Sequence, residues 1–157
     1  MLKYLVAFLV SMVPIIELRG GVPIAMEWGV DWYWAIIICT IGNMIPVPFI
    51  YFFARKFLTW GADKRIIGKL CRFVIRKGEK ASQKLGAKGT RWGFFIALLL
   101  FVGIPIPGTG AWTGTLGASF LNAGFKDTVI SVSLGVVMAA VIMAIVYTTG
   151  SAVFSLF

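Results

Sequence analysis

The sequence predicts an all-α integral membrane protein. The expected architecture is two inverted repeats, each a re-entrant helical hairpin plus one transmembrane helix, joined by a basic amphipathic cytoplasmic segment. Three observations predict it. The 157-residue chain is 59 % hydrophobic and its mean hydropathy is +0.92, well above a soluble domain. Its apolar residues fall into long uncharged runs, two of which are interrupted by polar, glycine-rich loops. Its positive charge is concentrated in one connecting segment. The length fits a single membrane domain, with residues 1–58 as the first repeat, 59–91 as the connector and 92–157 as the second repeat.

The first run, Tyr4 to Ile16, is too short to span before the charge at Glu17. It lacks a small-x-small cleavage site near Pro14 and is expected to be retained rather than removed as a signal peptide. Residues Leu2 to about Trp28 are expected to form a hairpin that dips in from outside. Its tip is the loop Pro14 to Pro23, which contains Glu17, Arg19, Gly20 and Gly21. A short polar joint, Glu27 to Asp31, leads into the run Trp32 to Ala54. That run reaches the roughly 20 apolar residues a bilayer span requires.

Twelve of the fifteen Lys and Arg then fall between Arg55 and Arg91. The net charge of +9 is therefore a positive-inside signature, not a nucleic-acid footprint, and places the 55–91 loop in the cytoplasm. Arg65, Lys69, Arg72 and Arg76 step along one helical stripe, opposite Ile66, Ile67, Leu70, Phe73 and Val74. This stripe suits anionic lipid headgroups; a specific lipid-phosphate or partner site is the alternative. Residues 77–88 are polar and expected to form a short hairpin.

The third run, Trp92 to Phe125, is too long for one upright span. It contains the loop Gly103 to Gly114, with Pro105, Pro107, Gly108, Thr109, Gly110, Trp112 and Thr113. It is expected to dip as a hairpin from the cytoplasm. The joint Asn122 to Asp127 follows, and Val129 to about Thr149 runs outward. The halves align in register: Phe8 with Phe101, Pro14 with Pro107, Gly21 with Gly114, Ala25 with Ala118, and Gly42 with Gly135. A competing topology has all four runs spanning, with both loops at the outer interface. The uncharged stretch from Gly114 to Phe125 argues against it, because it would leave an apolar segment outside.

Backbone that leaves helical geometry in hydrocarbon must be buried in protein or line a wet cavity. The two loops are therefore the candidate site. Charges at membrane depth cost about 2.5 to 3.5 kcal/mol each on the insertion scale, so Glu17 and Arg19 should be paired or face a cavity. Residues i and i+2 do not face each other on a helix. A direct pair would need the loop to unwind, which Gly20, Gly21 and Pro23 permit. The functional reading makes Glu17 a proton-binding carboxylate and Arg19 an anion clamp; the alternative is a structural or interfacial pair. In the second loop, a helix beginning at Thr109 to Ala111 would aim free N–H groups at an anion. Gly110-x-x-x-Gly114 serves equally as a packing surface. Asn43, near Pro46 and Pro48, suits either a hydrogen bond to a broken loop or simple packing. With no histidine, no carboxylate cluster and two cysteines far apart at 39 and 71, neither a metal nor any other cofactor is expected.

The stretches Glu17-Leu18-Arg19-Gly20-Gly21-Val22-Pro23, Gly42-Asn43-x-x-Pro46 and Pro105 to Gly114 resemble the small multi-drug export proteins of bacteria and archaea. The similarity covers nearly the whole chain. That family is in turn distantly similar to the DedA/VTT membrane proteins, whose re-entrant loops face one another. The resemblance implies a multi-pass protein of a prokaryotic cell membrane that transports an amphiphilic or anionic small molecule, or a lipid-linked phosphate, with protons. Four membrane elements enclose little volume, so a homodimer is expected. A membrane lipid phosphatase or transferase and an ion channel are the alternatives; one carboxylate in the two loops is thin equipment for phosphoryl transfer.

Overall fold

The computed structural model describes residues 2–14, 16–63, 72–73, 76, 88–106 and 108–154. The described residues form seven helices. These are α1 (Leu2–Met12), α2 (Glu17–Glu27), α3 (Trp32–Met44), α4 (Pro46–Ala62), α5 (Lys88–Gly103), α6 (Ala111–Phe120) and α7 (Phe125–Phe154). Only Ile45 separates α3 from α4. Its N–H still bonds to the Ile41 carbonyl, so Trp32–Ala54 acts as one span of 23 residues. That segment and Phe125–Gly150 are long and apolar enough to cross a bilayer.

Each half of the chain has the same order: a helix, a broken loop, a short helix, a tight joint and a long helix. The joints are built alike. After α2, the Val30 N–H bonds to the Ala25 carbonyl at 3.0 Å and the Gly29 N–H to Met26 at 2.9 Å. After α6, Ala123 bonds to Ala118 at 3.0 Å and Asn122 to Ser119 at 3.1 Å. Both are Schellman caps, and both place the residue after the cap in the left-handed region: Gly29 at φ +69° and Asn122 at φ +55°. Glycine adopts this freely, and asparagine tolerates it better than most side chains.

The two short helices pack against their predecessors as hairpins. Lys3 Nζ, at the start of α1, donates to the Gly29 carbonyl beyond the end of α2 at 2.7 Å. In the second half, Arg91 on α5 grips Asp127 at the start of α7 with two bonds of 2.6 and 2.8 Å. The first hairpin opens beside the far part of α7, where Tyr147 OH donates to Glu27 Oε2 at 2.5 Å. Asp127 and Tyr147 are twenty residues apart, or about 30 Å along a helix and about the thickness of the hydrocarbon core. The loops that join the paired helices lie between these two levels of the bundle.

Helices approach closely where glycine permits it. A Cβ on Gly42 would sit 2.5 Å from the Phe8 carbonyl oxygen, and one on Gly135 would sit 2.7 Å from that of Leu99. The core holds Leu18, Val22, Val47, Val102, Val132 and Val136 among many alanines. The outer surface is apolar. Exposed aromatics crowd both ends, with Trp28, Trp32, Tyr33 and Trp34 at one and Phe57, Trp60 and Trp92 at the other, as membrane-interface belts do. Arg72 and Arg76 are exposed, and Arg72 Nη1 donates to the Ala62 carbonyl at 2.6 Å, capping α4. The rest of the basic stripe, Arg65 and Lys69 included, lies outside the described residues, as do Cys71 and most of residues 77–88.

Gly42→Ala should destabilise the protein by more than about 2 kcal/mol, because the obstacle is backbone. Gly117→Ala, in a helix position with nothing within 4 Å, should be neutral or stabilise by up to about 1 kcal/mol. Thermal unfolding in detergent compares them. Equal shifts for the two would refute the tight α1–α3 crossing.

Candidate functional site

Where α2 begins, Ile16 stays right-handed but Glu17 has φ +50°. That left-handed turn separates the directions of Glu17 and Arg19. Glu17 is buried, 6 % exposed, and its Oε1 accepts the Trp112 N–H in the first turn of α6 at 3.2 Å. The negative group thus meets the positive end of a helix dipole. Gly110, the extended residue that starts α6, lies directly against the carboxylate. A Cβ there would sit 1.9 Å from Glu17 Oε2.

Arg19 points to the loop before α6. Its Nη2 donates to Thr109 Oγ1 at 2.9 Å and to the Ile104 carbonyl at 3.3 Å, and its Nη1 donates to the Ile106 carbonyl. Thr109 Oγ1 also bonds to the Ile104 and Ile106 carbonyls, at 3.1 and 2.9 Å. The Ile104 and Ile106 carbonyls of the loop after α5 are thereby satisfied. Gly108, at φ +87°, supplies the left-handed residue that turns the loop back. Thr113 Oγ1 accepts the Gly110 N–H at 2.9 Å, closing the start of α6.

The direct Glu17–Arg19 pair is not formed. Among the described residues the one ion pair is Arg91–Asp127. Each charged side chain of the first tip instead satisfies backbone of the second. The acid takes an N–H at a helix start, and the base takes carbonyls of the loop that follows α5.

A cavity of ≈ 630 Å³ opens between the tips. Glu17, Arg19, Gly20, Pro105, Gly108, Thr109, Gly110 and Thr113 line it together with Pro14, Ile16 and Met143. Of the residues singled out by sequence, Gly21, Asn43 and Trp112 do not line it. Gly21 packs against Ser11 and Cys39. Asn43 is fully buried and neither side-chain polar atom has a hydrogen-bond partner. Trp112 contributes its backbone N–H. Pro107 lies outside the described residues. The contribution of Met143 carried no signal, since it sits in a featureless apolar run remote in sequence from either loop.

The Gly110–Glu17 contact can be isolated. Gly110 has extended backbone, so alanine there adds no φ penalty, only a collision with the carboxylate. Gly110→Ala should destabilise by about 1–3 kcal/mol. In a Glu17→Ala background most of that loss should vanish, giving a coupling of about 0.5–3 kcal/mol in a double-mutant cycle. Additive losses would show that the tips do not touch there.

The family model described as putative small multi-drug export protein matches residues 17–142. The chain matches no curated protein and no solved structure. The matched region takes in the first tip from Glu17 onward, the second tip, both joints and α7 as far as Ile142; the chain belongs to the small multi-drug export protein family.

Proposed function

We propose that this protein is a proton-coupled secondary transporter that moves an amphiphilic or anionic small molecule by alternating access around the chamber between the tips. The observation that supports this most directly is a buried acid and a charged base facing one ≈ 630 Å³ cavity at mid-height of an apolar bundle. Its two halves are inverted repeats. The matching Schellman caps and the hairpin mouths about 30 Å apart along α7 support that relation. The hairpins are re-entrant: α1, with 11 residues, extends about 16 Å, half of a bilayer core. Helices that end at mid-depth and aim their termini at a substrate are a recurring transporter device.

In this reading Glu17 carries the proton. Arg19 fixes the second tip and adds positive charge to the chamber, since the guanidinium has five donors and the loop does not use all of them. The halves rock against each other and expose the chamber to each side in turn. The basic 55–91 segment is cytoplasmic, and the apolar outer face supports a homodimer in the membrane.

Topology is tested by fusing a reporter active only in the cytoplasm to position 157. Re-entrant hairpins put both termini outside, so the fusion should be silent while an insertion in the basic segment is active. A strong signal at both sites would restore four simple spans.

Function is tested in proteoliposomes that report proton flux driven by added amphiphilic anions. Glu17→Gln should uncouple flux from the pH gradient. Arg19→Lys keeps the charge but loses the planar fork, and should fail nearly as completely as Arg19→Ala. Wild-type flux in Arg19→Ala and Glu17→Gln would discard the chamber as the transport site. Release of phosphate from a lipid diphosphate by the purified protein would favour the phosphatase instead.

A further inference from the structure

Asn43 holds a buried amide that nothing among the described residues satisfies, a costly arrangement that asks for an explanation. Its level in the bundle follows from two contacts. Gly21 on α2 faces Cys39 on α3, with 3.2 Å from a Gly21 Cβ position to Cys39 Sγ. These helices are antiparallel across the short 28–31 joint. One turn before Gly21 is Glu17, and one turn after Cys39 is Asn43, so they share a level. Independently, Ser119 on α6 donates to the Tyr51 carbonyl on α4 at 2.8 Å. Both helices run from mid-height towards the same end, and two turns back along each brings Ala111 beside Asn43.

The unpartnered amide is therefore level with the meeting of the Glu17 carboxylate and the first turn of α6, on the α3–α4 span that packs against both short helices. That place has three properties of an oxyanion seat. Backbone N–H groups converge on it. Gly110 is moulded to an oxygen, with no room for a methyl group. It adjoins the chamber, which Glu17 and Gly110 both line. Glu17 holds the seat through a left-handed backbone that L residues adopt reluctantly.

We infer that this seat is shared: the head of a small organic oxyanion and the Glu17 carboxylate compete for it, and Asn43 donates to the substrate when Glu17 leaves. This rests on the transport reading above and gives it a substrate class and a coupling rule. Two carboxylate-like groups cannot occupy one buried seat together. An entering anion displaces Glu17, which takes up one proton. One anion and one proton are thus bound together, and the net charge of the site is unchanged.

The groups that bear on this titration are few. Arg19, on the same helix, stays charged. Cys39 on α3 is one turn away. Ser11 of α1, Met143 of α7, the 104–110 loop and the first turn of α6 present no titratable side chain. By linkage, affinity for the anion should be highest at low pH and fall as pH rises through the Glu17 midpoint, by up to about tenfold per unit.

The test uses perfluorobutanesulfonate, which stays ionised throughout, and full-length protein in lipid nanodiscs, with binding read by fluorine NMR between pH 5 and 8. Wild type should bind more tightly at low pH. Glu17→Gln removes the competing charge, so it should bind at least about tenfold more tightly at pH 8 and lose the pH dependence. Asn43→Leu should weaken binding in the Glu17→Gln background, and Asn43→Ser, which retains a donor, should restore part of it. Weaker binding in Glu17→Gln, a wild-type affinity that rises with pH, or no binding by either protein would overturn the shared seat. Binding with the expected pH sign but without flux in proteoliposomes would leave the seat standing and remove the transport reading. Flux without the Glu17→Gln gain would do the reverse.

Discussion

Unwinding a helix in an apolar bundle leaves N–H and carbonyl groups that lipid cannot satisfy, and this constraint organises the molecule. Both tips break their helices, and side chains of the first tip bond to backbone of the second. Glu17 accepts from the start of α6; Arg19 donates to the Ile104 and Ile106 carbonyls of the loop that follows α5. Without Glu17 the Trp112 N–H loses its acceptor, and without Arg19 the Ile104 and Ile106 carbonyls keep only the bonds made within their own loop. The elements around this junction serve to hold it there. Glycine crossings at Gly42 and Gly135 draw the hairpins close to the long helices, and the two left-handed joints return the chain at the correct height.

The same junction makes the tips sensitive to charge. A carboxylate set against a helix start is stabilised by the dipole, and a guanidinium on carbonyls is stabilised by charge-assisted hydrogen bonds. Neutralising the acid weakens one contact while leaving the other in place. The tips then need not separate as a unit; one side of the junction can loosen while Arg19 keeps the other in register. Such asymmetry gives a small two-part bundle a way to change the shape of its central chamber without exposing broken backbone to lipid.

Much of this was legible in the sequence, because membrane depth imposes hard rules. Uncharged runs gave the long helices, and Gly and Pro clusters marked the breaks. The expected start of a helix at Thr109 to Ala111 is met by Ala111. The registered pairs Gly21/Gly114, Ala25/Ala118 and Gly42/Gly135 fall at close contacts or caps in both halves. What could not be read was partnership. Two charges two residues apart suggested each other, yet a single left-handed residue sends them to different targets on the opposite tip. Asn43 is a candidate partner for loop backbone, and it has no hydrogen-bond partner among the described residues. Met143 joins the chamber only because α7 passes behind it, which no local pattern records. The basic stripe at Arg65, Lys69, Arg72 and Arg76 stands as a reading of periodicity, with only its last two members described.

The long final helix is fastened at two heights, to Arg91 through Asp127 and to Glu27 through Tyr147. Helices hardly stretch, so the distance between those fastenings is fixed at about 30 Å. The molecule thus carries a built-in gauge. In a bilayer whose apolar core matches it, and under the proposed re-entrant topology, both fastenings would reach the headgroups together. In a thicker one, the polar groups at one mouth are drawn into hydrocarbon, and tilting or local thinning must absorb the difference. Lipid chain length would then act on the chamber mechanically, through a helix that contributes a single methionine to its wall.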